Sequence, residues 1–293
     1  MAYPPCFIIG NPRSGTTLLR LILNAHSHFC VPPECGFIQW LYQFFESWTS
    51  KDSANPKRVQ SFLEELSSCR KIETWELNYK ELGKAILTIQ PDSYSDLCRE
   101  VLNQYIRQEK PGALRWGDKN NYYIQHMETI EAIFPDAVFL LIVRDGRDVA
   151  CSYRALHEKT SSSAYFPNLP YATEDIAREW KANNQRVIDR LSNSSSHLIK
   201  YEDLVSKSED TIRNLCTFLD IPFESGMLEF YLEKTAREPH EMIAWKEKTQ
   251  KEITSSQIGR FHKDLSAEEI EAFEIVAGKY LRTFGYQLFS NTK

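Results

Sequence analysis

The sequence predicts an α/β fold in which a central parallel sheet is flanked by helices within a single domain, residues 1–293. Short apolar segments typical of strands alternate with longer segments of helical periodicity, and no internal repeat is visible. The segment DAVFLLIVRD is continuously apolar, as a parallel strand buried on both faces should be. A glycine-bracketed turn, Gly10 to Gly15, follows the first strand and leads into a helix.

The periodicity assigns the individual elements. The strands are expected at residues 6–9, 29–31, 113–116, 138–143 and 197–201. A long helix should run from about residue 173 to residue 191, and a last helix should begin at the capping residue Ser266. The segment YEDLVSKSEDTIRNLCTFLDI is a further helical region.

The composition is ordinary for a globular enzyme, with 42% hydrophobic and 26% charged residues. A net charge of −5 argues against nucleic acid as a partner, because nucleic-acid binders usually carry a basic stripe. An anionic ligand would therefore need a local cluster of cations.

Seven cysteines are scattered along the chain without a C-x-x-C pair. This pattern favours reduced thiols over a disulfide scaffold or a zinc site. No signal peptide, membrane anchor or membrane span is recognisable, since a core strand begins near Cys6. We therefore expect a cytoplasmic protein without a membrane partner.

Two segments leave alternatives open. After Glu34, aromatic and aliphatic residues recur at helical spacing, which suits either the core or the wall of a ligand pocket. These residues are Phe37, Trp40, Leu41, Phe44, Phe45 and Trp48. Residues 159–173 mix serines, prolines and aromatics without periodicity and predict a long loop, which is either a lid or merely mobile.

The segment FIIGNPRSGTTLL has the pattern of a P-loop-like, phosphate-binding turn. Gly10 and Gly15 allow a tight turn, so that backbone amides and the positive end of the following helix can face one anion. Arg13 supplies a cation to the same anion. The residues that add hydroxyl groups are Ser14, Thr16 and Thr17.

The loop lacks the lysine that grips a γ-phosphate, because Thr16 follows Gly15. The strand in FLLIVRDGRDVACSY ends in Arg144, where a triphosphatase has a magnesium-binding carboxylate. Arg144 and Ser152 could instead hold a second, separate phosphate. Asp145 keeps a metal possible, so a small-molecule kinase that uses Mg-ATP is the alternative. In another alternative, Arg144 pairs with Asp148.

These motifs resemble a known family, the sulfotransferases that depend on 3′-phosphoadenosine 5′-phosphosulfate (PAPS). GNPRSGTTLL is similar to the family's 5′-phosphosulfate loop, LLIVRDGRDVACSY to its 3′-phosphate segment, and IKYEDLV, with Tyr201, to a third element. The resemblance implies PAPS as donor, no metal, and a hydroxyl-bearing acceptor. It also implies that Arg260 reaches the 3′-phosphate.

Sulfuryl transfer needs a base for the acceptor proton and cations at the leaving oxygen. Glu34 follows a strand and two prolines, and PPECGF resembles the glutamate segment of the tyrosylprotein and bacterial sulfotransferases. Lys119, in RWGDKNNYY, resembles the lysine near the bridging oxygen, where Arg13 should assist. The competing interpretations are a first-turn glutamate that serves the helix dipole and a surface lysine paired to Asp118.

Several questions stay open at the level of sequence. His26 and His28 are expected at the opposite end of the sheet and do not replace Glu34 as the base. The acceptor could be a tyrosine in a peptide, a carbohydrate or a hydroxylated small molecule, and the oligomeric state does not follow. A non-catalytic nucleotide-binding module is a third possibility.

Overall fold

The computed structural model describes residues 3–159, 163–233, 239, 242, 245, 246, 249 and 251–289. Within them the chain forms one five-stranded sheet in the order β2-β3-β1-β4-β5, and every neighbouring pair is parallel. The strands are β1 (Cys6–Gly10), β2 (Phe29–Cys30), β3 (Arg115–Lys119), β4 (Val138–Val143) and β5 (Ser196–Lys200). The predicted α/β, P-loop-like fold with a central parallel sheet is confirmed.

Helices cover both faces of the sheet. In the first half of the chain they are α1 (Thr16–Asn24), α2 (Phe37–Trp40), α3 (Tyr42–Phe45), α4 (Ser50–Ser53), α5 (Pro56–Ser68), α6 (Tyr79–Ile89), α7 (Tyr94–Glu109) and α8 (Met127–Ile133). In the second half they are α9 (Gly146–His157), α10 (Thr173–Arg190), α11 (Tyr201–Ser206), α12 (Ser208–Leu219), α13 (Phe261–Asp264) and α14 (Ala267–Thr283). Short 3₁₀ segments lie at Ile72–Trp75, Asn121–Gln125 and Ser225–Leu232.

Alternation along the strands divides the core between the two faces of the sheet. In β1, Phe7 and Ile9 belong to the larger apolar cluster, which α7, α9, α10 and α14 cover. Cys6 and Ile8 belong to the smaller cluster, which α1, α11 and α12 cover. All four side chains are fully buried, so β1 is the central strand of the molecule.

The strand predictions agree with the structure except at β3. This strand was expected at residues 113–116 but occupies Arg115–Lys119. The sequence pattern misplaces it because its residues Arg115, Asp118 and Lys119 are charged and yet buried. The predicted cap at Ser266 is confirmed by a capping box with Glu269.

The aromatic segment after Glu34 forms two short helices, α2 and α3, rather than one continuous helix. Most of its apolar side chains pack into the core, whereas Phe44 is 59% exposed. The helical spacing therefore reflects an apolar face that packs into the core. Such a face does not require one uninterrupted helix. The helical region 201–221 is likewise divided, into α11 and α12.

All seven cysteines are buried and unpaired. In the part of the chain that the structure describes, no helix combines the length and apolar character needed to cross a bilayer.

We expect Phe7→Ala to lower the free energy of unfolding by about 3–5 kcal/mol, because the cavity cannot be refilled. The Phe7 ring lies 5.7–6.1 Å from four aromatic rings, those of Trp116, Tyr123, Phe134 and Phe139. Denaturant unfolding measures the change, with Phe44→Ala on the surface as the control. Equal stability of the two variants would contradict this account of the core.

Candidate active site

The carboxyl ends of all five strands meet at one edge of the sheet, where parallel α/β proteins bind ligands. A cavity of about 710 Å³ opens there. Each strand is followed by at least one residue that lines it: Arg13 after β1, Glu34 after β2, Asn120 after β3, Arg144 after β4 and Tyr201 after β5.

The loop after β1 has the backbone of a phosphate-binding turn. Gly15 adopts φ 100° at the N-cap of α1, and Arg13 is also left-handed, with φ 67°. The Ser14 amide donates to Asn11 O at 3.2 Å and closes the turn. A Cβ on Gly15 would lie 2.6 Å from Cδ2 of Tyr201, so the Tyr201 ring packs directly on the loop. Only glycine fits here.

The hydroxyl groups of the loop differ in their surroundings. Thr16 Oγ1 donates to Asn121 Oδ1 at 3.0 Å and ties the loop to the segment after β3. Thr17 lines the cavity. Ser14 is fully buried, and among the described residues its Oγ has no hydrogen-bond partner. Ser14 Oγ is thus an orphaned polar group inside the turn.

Arg13 joins the loop to α9. Its Nε donates to Ser152 Oγ at 3.1 Å and its Nη1 to Trp245 O at 3.2 Å. Burial, and then the charge of Arg144, lower the pKa of Arg13 from 12.5 to about 10. Arg13 therefore stays charged at neutral pH and places a half-buried cation beside the loop.

Arg144 is buried and lies against the face of Tyr201, with Cζ 4.5 Å from the ring centroid. It donates to two backbone carbonyls, Arg13 O at 3.2 Å and Gln257 O at 2.7 Å. In the described part of the molecule its Nε has no partner. Asp148 accepts instead from the backbone amides of Gly259 and Phe261. Arg144 thus keeps a donor for a ligand.

Asp145, on which a metal site would depend, is engaged elsewhere. It caps α9 and pairs with Arg147 at 2.7 Å. Arg147 also contacts Glu274 at 2.5 Å in the protein interior. Asp145 does not line the cavity, and the described residues contain no cluster of three or more candidate metal ligands.

Arg260 lines the cavity near the start of α13. Its guanidinium pairs with Asp264 at 2.6 Å and donates to Gln257 Oε1 at 3.1 Å. It is placed on the same side as Arg144, whose guanidinium donates to the backbone of Gln257.

Glu34 lies between two lysines. Oε2 contacts Lys119 Nζ and Oε1 contacts Lys71 Nζ, each at 2.5 Å. Lys119 is 1% exposed and pairs with Glu34 rather than with Asp118, so it is not a surface lysine. The structure therefore brings together the two residues that the sequence singled out for proton and charge handling.

Buried side chains hold the backbone around Glu34 in place. Three neighbouring carbonyls each accept a side-chain hydrogen bond: Pro32 O from Arg20 at 2.8 Å, Pro33 O from Trp75 at 2.8 Å, and Cys35 O from Tyr123 at 3.2 Å. At Gly36, a Cβ would lie 2.6 Å from the Trp40 ring and 3.0 Å from Asn120 Nδ2. The Glu34 segment consequently approaches the Lys119 segment as closely as a backbone can.

The environment keeps Glu34 ionised. Burial alone would raise its pKa, but the charges of Lys119, Lys71 and Lys246 hold it well below 4.5. The stabilisation from these ion pairs is present above the ordinary pKa of a glutamate. It is lost as the pH falls through the lowered value.

Comparison with known proteins places this geometry in a family. A model described as the sulfotransferase family matches residues 4–225. The chain belongs to the sulfotransferase family. The predicted resemblance and the enzyme class, a sulfotransferase, are confirmed at the level of this family.

Individual relatives and solved structures match this chain at low identity. Protein-tyrosine sulfotransferase A of Caenorhabditis elegans is 24% identical over 77% of this chain and 52% of its own length, so the chain spans about half of that relative. The sulfotransferase domain from the curacin biosynthetic pathway superposes with a TM-score of 0.62 at 20% identity, covering 99% of this chain and 100% of that domain. Mouse sulfotransferase SULT7A1, complexed with PAP, gives 0.52 at 11% identity, covering 95% and 85%.

Part of the cavity lining in this sulfotransferase-family chain is apolar. The described part of the predicted loop 159–173 contributes Tyr165, Phe166 and Leu169 to the lining. Arg70 Cζ lies 5.5 Å from the centroid of Tyr165. By contrast, the aromatic residues of α2 and α3 do not line this cavity. They pack into the core or line a separate surface groove, so they do not form the wall of the ligand pocket.

Two contributors to the site carried no signal in the sequence. Lys71 lies between α5 and a 3₁₀ turn, with no motif around it, and reaches Glu34 only through the tertiary fold. Asn121 holds Thr16, and its place one residue after Asn120 in the segment that follows Lys119 was the only available hint. His26 is buried and faces Pro222 O, and no described histidine lines the cavity.

We expect Lys71→Met to raise the pKa of Glu34, because it removes a positive charge 2.5 Å from Oε1. Carboxyl-carbon NMR titration of labelled glutamate measures this shift. Lys84→Met, which removes an exposed partner of Glu81, is the matched control and should leave Glu34 unchanged. An unaltered Glu34 titration in Lys71→Met would show that the ion pair is absent in solution.

Proposed function

We propose that this protein transfers a sulfuryl group from PAPS to a hydroxyl of an acceptor, without a metal, with Glu34 as general base. The observation that carries the proposal is a single cavity with two kinds of lining. One part is the lysine-free phosphate loop with Arg144, and the other is the Glu34–Lys119 pair. Membership in the sulfotransferase family supports the same reaction class.

The residues present fit the donor. Ser14 Oγ and Arg144 Nε are buried donors without partners among the described residues. Arg144 itself lines the cavity, as do Arg13 and Gly15 on either side of Ser14. The residues proposed to hold the 5′-phosphosulfate are Arg13, Ser14, Gly15, Thr16 and Thr17. Those proposed to hold the 3′-phosphate side are Arg144, Ser152, Tyr201 and Arg260. A relative of the same fold is complexed with PAP.

The side chains also make a metal unnecessary. Arg144 is a buried cation and Arg13 a half-buried one beside the loop, and Lys119 adds a third charge at its edge. Asp145, the carboxylate on which Mg-ATP chemistry would depend, is committed to Arg147. The carboxylate that the kinase alternative invoked is thus engaged, which favours the metal-free reaction.

The reaction assigns a task to each residue. The bound donor supplies an activated sulfuryl group with a phosphate as leaving group. A Glu34 oxygen takes the proton of the acceptor hydroxyl as the new S–O bond forms and the bond to the phosphate oxygen breaks. Lys119 and Arg13 stabilise the negative charge that develops on the phosphate oxygen of the leaving group. Lys71 keeps hold of the other Glu34 oxygen and preserves its orientation.

The acceptor class remains the broad one, a hydroxyl-bearing molecule. Relatives named protein-tyrosine sulfotransferase favour a phenol, and the aromatic residues Tyr165 and Phe166 can contact one. Incubation with labelled donor and a tyrosine peptide, a carbohydrate or a small alcohol separates the three classes.

We also propose that residues 1–293 act as one domain, in the cytoplasm, where the seven unpaired thiols stay reduced.

Calorimetry tests the donor assignment. We expect 3′,5′-adenosine bisphosphate to bind tightly and without added metal, because the cations that neutralise it belong to the protein. Mg-ATP should bind weakly or not at all. A preference for Mg-ATP, or binding abolished by a chelator, would overturn the assignment.

Glu34→Gln should reduce kcat by about 10²–10⁴-fold while the affinity for 3′,5′-adenosine bisphosphate stays within a few fold. The amide keeps the shape of the side chain but cannot take a proton. Glu81→Gln on the surface is the control. Unchanged turnover in Glu34→Gln would remove the proposed base. Donor binding without turnover of any acceptor, unaltered in Glu34→Gln, would favour a non-catalytic nucleotide-binding module.

A further inference from the structure

Directly behind the Glu34–Lys119 pair lies a second carboxyl group with no assigned role. Asp118 is fully buried in β3, next to Lys119, and no ion pair joins it to a described residue. Its Oδ1 accepts from the Lys119 backbone amide at 2.7 Å. Its Oδ2 lies 2.7 Å from the hydroxyl of Tyr123, which is also fully buried.

Tyr123 connects this carboxyl group to the segment that carries the base. Its hydroxyl lies 3.2 Å from the carbonyl oxygen of Cys35, the residue after Glu34. The chain Lys119 N, Asp118, Tyr123, Cys35 O therefore links the backbone at both ends of the Glu34–Lys119 pair. The link comes from inside the protein, on the side away from solvent.

Counting hydrogens constrains the protonation state of this chain of contacts. A tyrosine hydroxyl has one hydrogen, whereas Cys35 O and an ionised Asp118 can only accept. Tyr123 cannot donate to both at once. Both contacts are satisfied if Asp118 carries a proton, donates it to the Tyr123 oxygen, and leaves the Tyr123 hydrogen for Cys35 O.

The surroundings favour the protonated form. Burial, the largest effect, raises the pKa of Asp118 from 3.8 to about 7, and the negative charge of Glu34 adds to it. The hydrogen bonds from Tyr123 and the Lys119 amide, and the charge of Lys119, oppose the rise. The thiols of Cys35 and Cys98 also face Asp118.

We propose that Asp118 and Tyr123 are positioning residues: a protonated Asp118 and the Tyr123 hydroxyl hold the Glu34 segment at a fixed place relative to Lys119. This inference rests on the proposed function for its effect on turnover. Loss of the Asp118 proton would force Tyr123 to donate to the carboxylate and release Cys35 O. The same loss would place a negative charge beside Lys119. That charge would compete for the lysine, whose positive charge is needed at the leaving oxygen.

The test compares Asp118→Asn with Tyr123→Phe over a range of pH. An asparagine can reproduce every contact of the protonated acid, since its amide nitrogen donates to Tyr123 and its oxygen accepts from the Lys119 amide. Asp118→Asn should keep kcat within a few fold of wild type and should lack the fall in kcat that we expect for wild type above about pH 7. Tyr123→Phe should lose about 10–100-fold in kcat with donor KM retained.

Tyr94→Phe is the matched control. Tyr94 is a buried tyrosine whose hydroxyl lies within hydrogen-bond distance of two backbone carbonyls, Ile38 O at 2.9 Å and Phe37 O at 3.3 Å, and no hydrogen bond joins it to Asp118. It should lower stability without altering kcat or its pH dependence. Wild-type kcat in Tyr123→Phe, or the same alkaline fall in Asp118→Asn as in wild type, would overturn the proposal.

Two further measurements do not depend on sulfuryl transfer. The infrared band of a protonated carboxyl group should be present in wild type at pH 6 and absent in Asp118→Asn. The pKa of Glu34 should rise in Tyr123→Phe, as its ion pair with Lys119 loosens. A missing band or an unmoved Glu34 would refute the pair even in an active enzyme. If no acceptor is sulfated but the infrared band and the shift of the Glu34 pKa are both observed, only the proposed function is refuted.

Discussion

The direction of the five strands is the constraint on which the site depends. All neighbouring strands are parallel, so their carboxyl ends lie at one edge. With β1 between β3 and β4, the chain leaves the centre of the sheet in both directions, which opens a crevice above β1. The loop after β1 faces the Glu34 and Lys119 segments on one side and the Arg144 segment on the other. Groups far apart in sequence therefore lie close together because the strands that carry them end at the same edge.

Electrostatics follow from this convergence. The chain as a whole carries a net charge of −5, yet cations outnumber carboxylates among the described residues that line the cavity. Burying Glu34 among lysines compensates for part of that positive charge while no anion is bound. The same arrangement holds a carboxylate ready beside the cations. The ion pairs of Glu34 therefore stabilise the empty cavity, and the remaining positive charge is available to an anion.

Much of this architecture could be predicted from the sequence. The loop at Arg13 to Thr17, the strand end at Arg144 and the position of Glu34 after a strand carry local signals, because glycines, prolines and apolar runs mark where strands end. The ion pair between Glu34 and Lys119 was not predicted. The start of β3 was misplaced, since buried charged residues conceal a strand. Lys71 and the contact between Asp118 and Tyr123 could not be foreseen, because they depend on how separate segments pack. Local patterns determine the elements, whereas side-chain partners across elements require the structure.

The anchoring of the Glu34 backbone by Arg20, Trp75 and Tyr123 separates two functions of the molecule. The groups that handle charge are fixed to the sheet, whereas Tyr165 and Phe166 belong to a connection between helices. Sequence changes in that connection can reshape the aromatic part of the cavity lining and leave the groups on the sheet in place. Descendants of one ancestral chain could in this way have come to modify different molecules by the same chemistry.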